Sequence, residues 1–139
     1  MTPALLALVL AMPCQPSISF AGGGRSHRIQ VEIARDAKAR EKGLMFVERL
    51  APNRGMWFIF PDPRPRQFWM KNTSIPLDII FVDTRLRVIN VIHSAAPNTL
   101  EGRRSTAPAK YVLELAGGQA RSRGLKQGIK LAICGFEQP

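Results

Sequence analysis

Apolar and polar residues alternate along several short stretches of this chain. Residues 28–33 have the sequence Arg-Ile-Gln-Val-Glu-Ile, and residues 111–116 have the sequence Tyr-Val-Leu-Glu-Leu-Ala. Successive side chains of a β-strand point to opposite faces, so a period of two is typical of strands with one buried face. Both stretches are therefore predicted to be half-buried strands.

Other stretches are apolar on both faces. Residues 56–60 and 77–82 are almost continuously apolar, which is typical of central strands that are covered on both sides. The polar residues 83–85 separate the second of these runs from another apolar stretch at 86–92. This pattern predicts one hairpin over residues 77–93 with a short turn.

Two segments carry helical signals instead. Asp36 is a suitable N-cap for residues 37–42, and Gly43 provides a left-handed stop. Residues 119–123, followed by Gly124, repeat this arrangement in a shorter form. We expect two short, solvated helices.

Length and composition then limit the fold class. The chain has 139 residues, of which 45% are hydrophobic, so it fits one domain with a modest core. Prolines at positions 61, 63 and 65 predict a stiff, extended connection that cannot donate to a sheet ladder. Six or seven short strands with one or two short helices predict a mainly β, single-domain antiparallel sandwich or barrel.

The beginning of the chain resembles an export signal. Residues 3–12 are apolar and uncharged, which is too short for a transmembrane helix but suits the core of a signal peptide. The small residues Ser19 and Ala21 provide a cleavage site. We therefore expect residues 1–21 to be a signal peptide and residues 22–139 to be a single exported β domain, periplasmic or extracellular, with no stable membrane anchor.

Cleavage after Ala21 would separate the two cysteines. Cys14 would leave with the signal peptide, so Cys134 would remain alone and no intramolecular disulfide could form. Cys134 lies among apolar neighbours, which favours a small buried hydrophobic side chain over a reactive thiol.

The net charge of the chain affects which binding partners are expected. The chain has 20 Lys and Arg against 10 Asp and Glu, a formal net charge of +10, which in the cytoplasm would indicate nucleic acid first. Export argues against nucleic acid and favours anionic envelope material, although dispersed arginines for solubility are an alternative. The arginines occur in pairs that could grip anions, at positions 64 and 66, 85 and 87, 103 and 104, and 121 and 123.

One segment mixes residue types that a core does not need. Trp69 is followed by Lys71, Asn72 and Thr73, and Asp78 interrupts an otherwise apolar strand. An apolar wall with a few convergent polar groups is typical of a small-ligand site. The alternative is that the polar residues form turns and that Asp78 caps loop amides.

Five blocks of the sequence also carry a resemblance, at residues 43–46, 55–56, 68–73, 75–78 and 111–115. They are similar to the successive blocks of a prokaryotic family, domain of unknown function 192. The Phe-Trp-Met-Lys-Asn-Thr block is the most specific, while Lys42 and Ile129 stand where family members usually have Arg and Asp. The resemblance implies an all-β sandwich of jelly-roll type and frequent export, but no activity, because the family is uncharacterised.

Known catalytic motifs are absent from the sequence, and no metal or cofactor is predicted. We expect a non-catalytic binding module for an oxygen-rich or anionic ligand, such as a sugar or envelope component, held by Trp69, Lys71, Asn72, Thr73 and Asp78. One alternative is a hydrolase-type enzyme that uses Asp78 with Lys71 or Glu114. Another is an envelope assembly or scaffold protein; the oligomeric state stays open.

Overall fold

The computed structural model of this chain describes residues 14–137. Within that range the chain forms short strands and two short helices, and neither helix is long and apolar enough to cross a membrane. The elements are Ser17–Gly22 (β1), Arg25–Ala34 (β2), Ala37–Lys42 (α1), Arg54–Arg64 (β3), Gln67–Phe68 (β4), Leu77–Val82 (β5), Val88–Ala95 (β6), Arg103–Arg104 (β7), Ala109–Ala116 (β8), Gln119–Ser122 (α2) and Ala132–Cys134 (β9).

Most strands belong to one seven-stranded sheet. Its order is β6-β5-β8-β3-β2-β1-β9, and β4 pairs with β7 in a separate two-stranded ladder. Neighbours are antiparallel except β2 and β3, which run parallel. The mainly β, sandwich-like prediction is confirmed, and the sheets are not closed into a barrel.

The central strands β3, β5 and β8 are buried on both faces. The apolar runs at 56–60 and 77–82 predict this for β3 and β5, whereas the half-buried prediction for β8 is wrong, because β8 lies between β3 and β5 in the sheet. In β8, Leu113 and Leu115 join one apolar cluster, whereas Val112 joins a second. Because side chains alternate along a strand, Glu114 shares its face with Val112. The sheet therefore separates two hydrophobic cores, and Glu114 is a buried carboxyl group on the side of Val112.

The predicted hairpin over residues 77–93 is confirmed. Strands β5 and β6 pair antiparallel, and the Asp83 side chain accepts hydrogen bonds from the backbone N–H groups of Arg85 and Arg87, at 2.8 and 3.0 Å. An aspartate that bonds backbone a few residues ahead is a common turn device.

Helix α1 also begins and ends where its signals predict. The Asp36 side chain accepts a hydrogen bond from the N–H of Ala39 at 2.8 Å. Gly43 follows with a φ of 48°, and a Cβ atom there would lie 3.3 Å from the ring of Phe58. Glycine is needed both for the left-handed backbone and for this close approach.

The N-terminal boundary differs from the prediction. Strand β1 lies between β2 and β9 in the sheet, and its side chains Ile18 and Phe20 are buried in the core. A cleavage after Ala21 would therefore remove an internal strand, and the structure places the start of the domain before Gly22. The apolar run at residues 3–12 lies outside the described residues.

The prediction of a lone Cys134 is wrong. Cys14 and Cys134 form a disulfide that joins residues separated by 120 positions, with their Cα atoms 6.0 Å apart. The error followed from the assumed cleavage point, because removal of Cys14 would have left Cys134 without a partner. The disulfide ties the segment before β1 to the last strand.

We expect the double variant Cys14→Ser/Cys134→Ser to lose about 2–4 kcal/mol of unfolding free energy, because the crosslink restricts the unfolded chain. Guanidinium denaturation under non-reducing conditions measures this loss. Wild-type protein with a reductant is the control and should match the variant. Equal midpoints for the oxidised wild type and the variant would contradict the expectation.

Candidate functional site

The segment that follows β4 is anchored by a buried methionine. Met70 is fully buried, its backbone N–H donates to the carbonyl oxygen of Thr99 at 2.9 Å, and the N–H of Asn98 donates to the carbonyl oxygen of Thr73 at 2.9 Å. These contacts hold the segment against the loop that follows β6. The neighbours of Met70 in sequence, Trp69 and Lys71, are exposed.

A cavity of about 250 Å³ lies between this segment, the end of α1 and the sheet face formed by β3 and β8. Three of the five predicted ligand residues, Trp69, Lys71 and Thr73, line it. The hydroxyl of Thr73 donates to the carbonyl oxygen of Lys71 at 3.0 Å, so toward a ligand its oxygen can act only as an acceptor.

Aromatic rings form one wall of the cavity. Phe68 packs edge-on against Phe58 and Phe60, with ring centroids 5.1 and 6.2 Å apart. Trp69 is 45% exposed, so its indole offers a flat apolar surface at the opening. Such rings favour the apolar face of a ligand.

The rim of the cavity is mainly cationic. Arg40, Lys42 and Lys71 line it together with Glu41. The Lys71 Nζ atom lies 5.2 Å from the centroid of the Trp69 ring, within the range of a cation–π contact. The Arg40 guanidinium already donates to backbone carbonyl oxygens, including that of Ile59 at 3.0 Å.

A buried carboxyl group lies at the inner end of the cavity. Glu114 is only 4% exposed and lines the cavity, and within residues 14–137 it has no hydrogen-bond or ion-pair partner. Burial raises the pKa of Glu114 to about 8, because the charged form loses its hydration without compensation. The group is therefore mainly protonated at neutral pH.

Asp78 does not contribute to the cavity. One carboxylate oxygen accepts hydrogen bonds from the backbone N–H groups of Ser94 and Gly118, at 2.8 and 3.1 Å, and the other accepts from Ala120 at 2.8 Å. The residue is fully buried and caps the start of α2 while tying β6 to β5. Asp78 therefore caps the backbone amides of a loop, which is one of the two alternatives that the sequence left open.

Asp78 and Glu114 also lie on opposite faces of the sheet. Asp78 is paired with Leu115, whereas Glu114 is paired with Ile79. Since side chains alternate along a strand, the two carboxyl groups point away from each other. The geometry gives no support to an acid/base pair made of these two residues.

Asn72 serves the turn rather than the cavity. Its φ of 53° is in the left-handed region, which asparagine tolerates better than most residues. Its carbonyl oxygen accepts a hydrogen bond from the N–H of Phe46 at 2.9 Å, which joins the segment after β4 to the segment after α1. Asn72 positions Lys71 and Thr73 without lining the cavity itself.

The predicted arginine pairs are partly occupied by internal contacts. One member of each of four pairs donates to a backbone carbonyl oxygen: Arg66 to Ala109 at 3.0 Å, Arg87 to Gly128 at 3.1 Å, Arg103 to Glu101 at 2.8 Å and Arg123 to Pro52 at 2.8 Å. Each of these side chains therefore stabilises a loop. The four pairs do not form four preformed anion-binding sites.

Sequence reasoning missed part of the lining. Phe58 and Phe60 were assigned to a core strand, and Arg40 and Lys42 to a solvated helix, yet all four line the cavity. Two signals were present in the sequence: residues 43–46 form one of the blocks with a family resemblance, and a charged residue interrupts the apolar strand β8.

The fold and the cavity define a small, mainly β domain with one aromatic-walled pocket over a central sheet. The model of the family domain of unknown function 192, described as an uncharacterised ACR, matches residues 18–133. The chain therefore belongs to this family, as its sequence blocks indicate. The match begins within β1, ahead of the predicted start at residue 22.

Two solved structures are similar to this chain. A protein of unknown function from Novosphingobium aromaticivorans is 35% identical, with a TM-score of 0.82, and the match covers 88% of this chain and 94% of that one. A protein from Sinorhizobium meliloti, described as a proposed transcription regulator, is 34% identical, with a TM-score of 0.83 and coverage of 91% and 98%. No curated protein matches this chain.

We expect the stability of the wild type to fall relative to Glu114→Gln as pH rises from 4.5 to about 8. The folded state keeps a proton on Glu114 in this range, whereas the unfolded chain releases it near pH 4.5. The stabilisation is complete below the unfolded pKa and is lost by about 1.4 kcal/mol per pH unit.

Urea denaturation of both proteins at several pH values measures this difference. Glu48→Gln removes the same charge from an exposed position and is the matched control, whose stability should follow that of the wild type. Parallel pH profiles for the wild type and Glu114→Gln would show that burial does not perturb this carboxyl group.

Proposed function

We propose that this protein is an exported, non-catalytic binding module for a small oxygen-rich ligand, such as a sugar or another anionic or hydroxylated envelope component. The observation that carries this proposal is the convergence of Trp69, Lys71, Thr73 and Glu114 on one cavity. Pockets that bury a drug-sized ligand begin at about 300 Å³. A cavity of about 250 Å³ therefore suits a ligand with a single ring rather than a ligand made of several linked rings.

The chemistry of the lining supports the same class of ligand. The exposed face of Trp69 suits the apolar face of a sugar ring. Lys71 supplies donors for ligand oxygens, the Thr73 hydroxyl oxygen can accept, and a protonated Glu114 can do both. The cationic rim favours ligands that also carry an anionic group.

The enzyme alternative built on Asp78 lacks support from the geometry. All three backbone contacts of Asp78 use its carboxylate oxygens, and the residue does not line the cavity. A carboxylate held in this way has no access to a substrate in that cavity, which is the first requirement for a general acid or base.

Export is supported by the disulfide between Cys14 and Cys134. Disulfides persist in oxidising compartments and are rare in the cytoplasm of most cells. The placement of β1 inside the sheet further suggests that a signal peptide, if removed, is cut before Cys14. In this proposal the mature domain keeps both cysteines.

The ligand proposal predicts saturable binding of at least one member of a panel of monosaccharides, uronic acids, inorganic phosphate and small carboxylates. Thermal-shift screening followed by calorimetry measures it. Trp69→Ala should weaken binding at least tenfold because it removes the stacking surface. Phe46→Ala is the matched control, since Phe46 is 73% exposed and does not line the cavity. The proposal fails if nothing binds or if both variants behave alike.

The export proposal predicts that full-length protein produced in a bacterium with a periplasm is recovered there without free thiols. N-terminal sequencing should place the first residue at or before Cys14. Cys14→Ser should expose one reactive thiol, at Cys134, in an Ellman assay on the unfolded protein. A mature chain that begins at Gly22, or a cytoplasmic product with two thiols, would contradict this proposal.

A further inference from the structure

We infer that Glu114 determines the ligand specificity of the cavity and acts there as a neutral carboxylic acid. In this role it selects ligands that present hydroxyl, carbonyl or carboxylate oxygens and rejects ligands that present an ammonium group. The inference rests on the proposed ligand-binding function and adds to it the chemical group that the innermost part of the ligand must carry.

The position of Glu114 in the sheet is the first argument. It lies in β8, a strand with neighbours on both sides, and is paired with Met56 of β3 and Ile79 of β5. Neither neighbour can neutralise or hydrogen-bond a carboxylate through its side chain. The cavity is thus the place where Glu114 can meet a polar partner.

The lack of an internal partner is the second argument. Within residues 14–137 no donor or cation bonds to the Glu114 carboxyl group, although almost every buried polar side chain in a protein has a partner. Asp78, buried one strand away, shows how this fold satisfies a structural carboxylate, with three backbone N–H groups. Glu114 has nothing equivalent, so its carboxyl oxygens are left to bind what enters the cavity, whether water or a ligand.

The charge state follows from the surroundings. An unpaired ionised carboxylate in an apolar environment is strongly unfavourable, so the group keeps its proton instead. Consistently, burial raises the pKa of Glu114 to about 8. The charged groups that line the same cavity come from α1 and from the segment after β4, and they are Arg40, Glu41, Lys42 and Lys71; none of them forms an ion pair with Glu114.

A neutral carboxyl group has a defined recognition pattern. Its O–H donates to a ligand oxygen and its carbonyl oxygen accepts from a ligand hydroxyl. A ligand carboxylate can also receive the O–H, a charge-assisted hydrogen bond, and the cations of the rim favour such an anion. An ammonium group would find one acceptor, would be repelled by Lys42 and Lys71, and would require Glu114 to release its proton.

Three hexoses that differ in one functional group test this selection: glucose, glucuronate and glucosamine, measured by calorimetry from pH 6 to pH 9.5. We expect glucose or glucuronate to bind the wild type at pH 6 at least tenfold more tightly than protonated glucosamine. Their affinity should fall above pH 8, approaching tenfold per pH unit, as Glu114 ionises.

Two variants separate the neutral acid from the carboxylate. Glu114→Gln keeps a donor and an acceptor, so it should retain binding within a few-fold and lose the fall above pH 8. Glu114→Leu should lose at least tenfold in affinity. Glu48→Gln, which removes an exposed charge outside the lining of the cavity, is the matched control and should keep the wild-type pH profile.

The opposite pattern would overturn the inference. If glucosamine binds best at pH 6, where its amine is protonated, and Glu114→Gln loses that binding, then Glu114 acts as an anion that receives a cation against the aromatic wall. In that case the proposed binding function would stand and only the role of Glu114 would fall. If none of the hexoses and no member of the wider panel binds, both proposals fall.

A measurement on the free protein keeps the test valid even if Glu114→Leu does not fold. Infrared difference spectroscopy between the wild type and Glu114→Gln should show a protonated carboxyl band at pH 6 that disappears above pH 8. A spectrum at pH 6 that shows only an ionised carboxylate at this position would overturn the inference without any ligand.

Discussion

The central strands β3, β5 and β8 are buried on both faces, so a polar side chain within them is removed from bulk water unless it faces a cavity. Such a group must find a partner inside the protein, keep a neutral form or face a cavity. Two carboxyl groups, Asp78 in β5 and Glu114 in β8, are subject to this constraint. Asp78 is accommodated by backbone N–H groups at the start of α2 and the end of β6, and Glu114 by the cavity.

Asp78 and Glu114 are accommodated in the sheet in two different ways. Asp78 accepts three backbone hydrogen bonds, which fixes the start of α2 and the end of β6 and leaves little capacity for anything else. Glu114 lies on the opposite face, under Trp69 and Lys71, with an aromatic wall beside it and no internal partner. A carboxyl group placed in this way adds nothing to the internal hydrogen bonding of the fold.

The edge of the sheet depends on the N-terminal segment. Strand β1 pairs with β2 on one side and β9 on the other, and the disulfide from Cys14 to Cys134 closes the same edge. Residues that resemble a cleavage site in the sequence, Ser19 and Ala21, thus belong to a paired strand. Small residues are typical of signal cleavage sites but can also occupy a strand, and local sequence does not distinguish the two here.

Local pattern in the sequence determined the strands β2, β3, β5, β6 and β8, the 77–93 hairpin, the cap at Asp36 and the family, because periodicity, turn residues and motif blocks act over a few neighbouring positions. It also selected Trp69, Lys71 and Thr73 for the site. Only the tertiary structure decided that Asp78 and Glu114 face opposite sides of the sheet, that α1 closes the cavity and that Cys14 reaches Cys134. These facts depend on strand order and register between distant segments, which no short stretch of sequence contains.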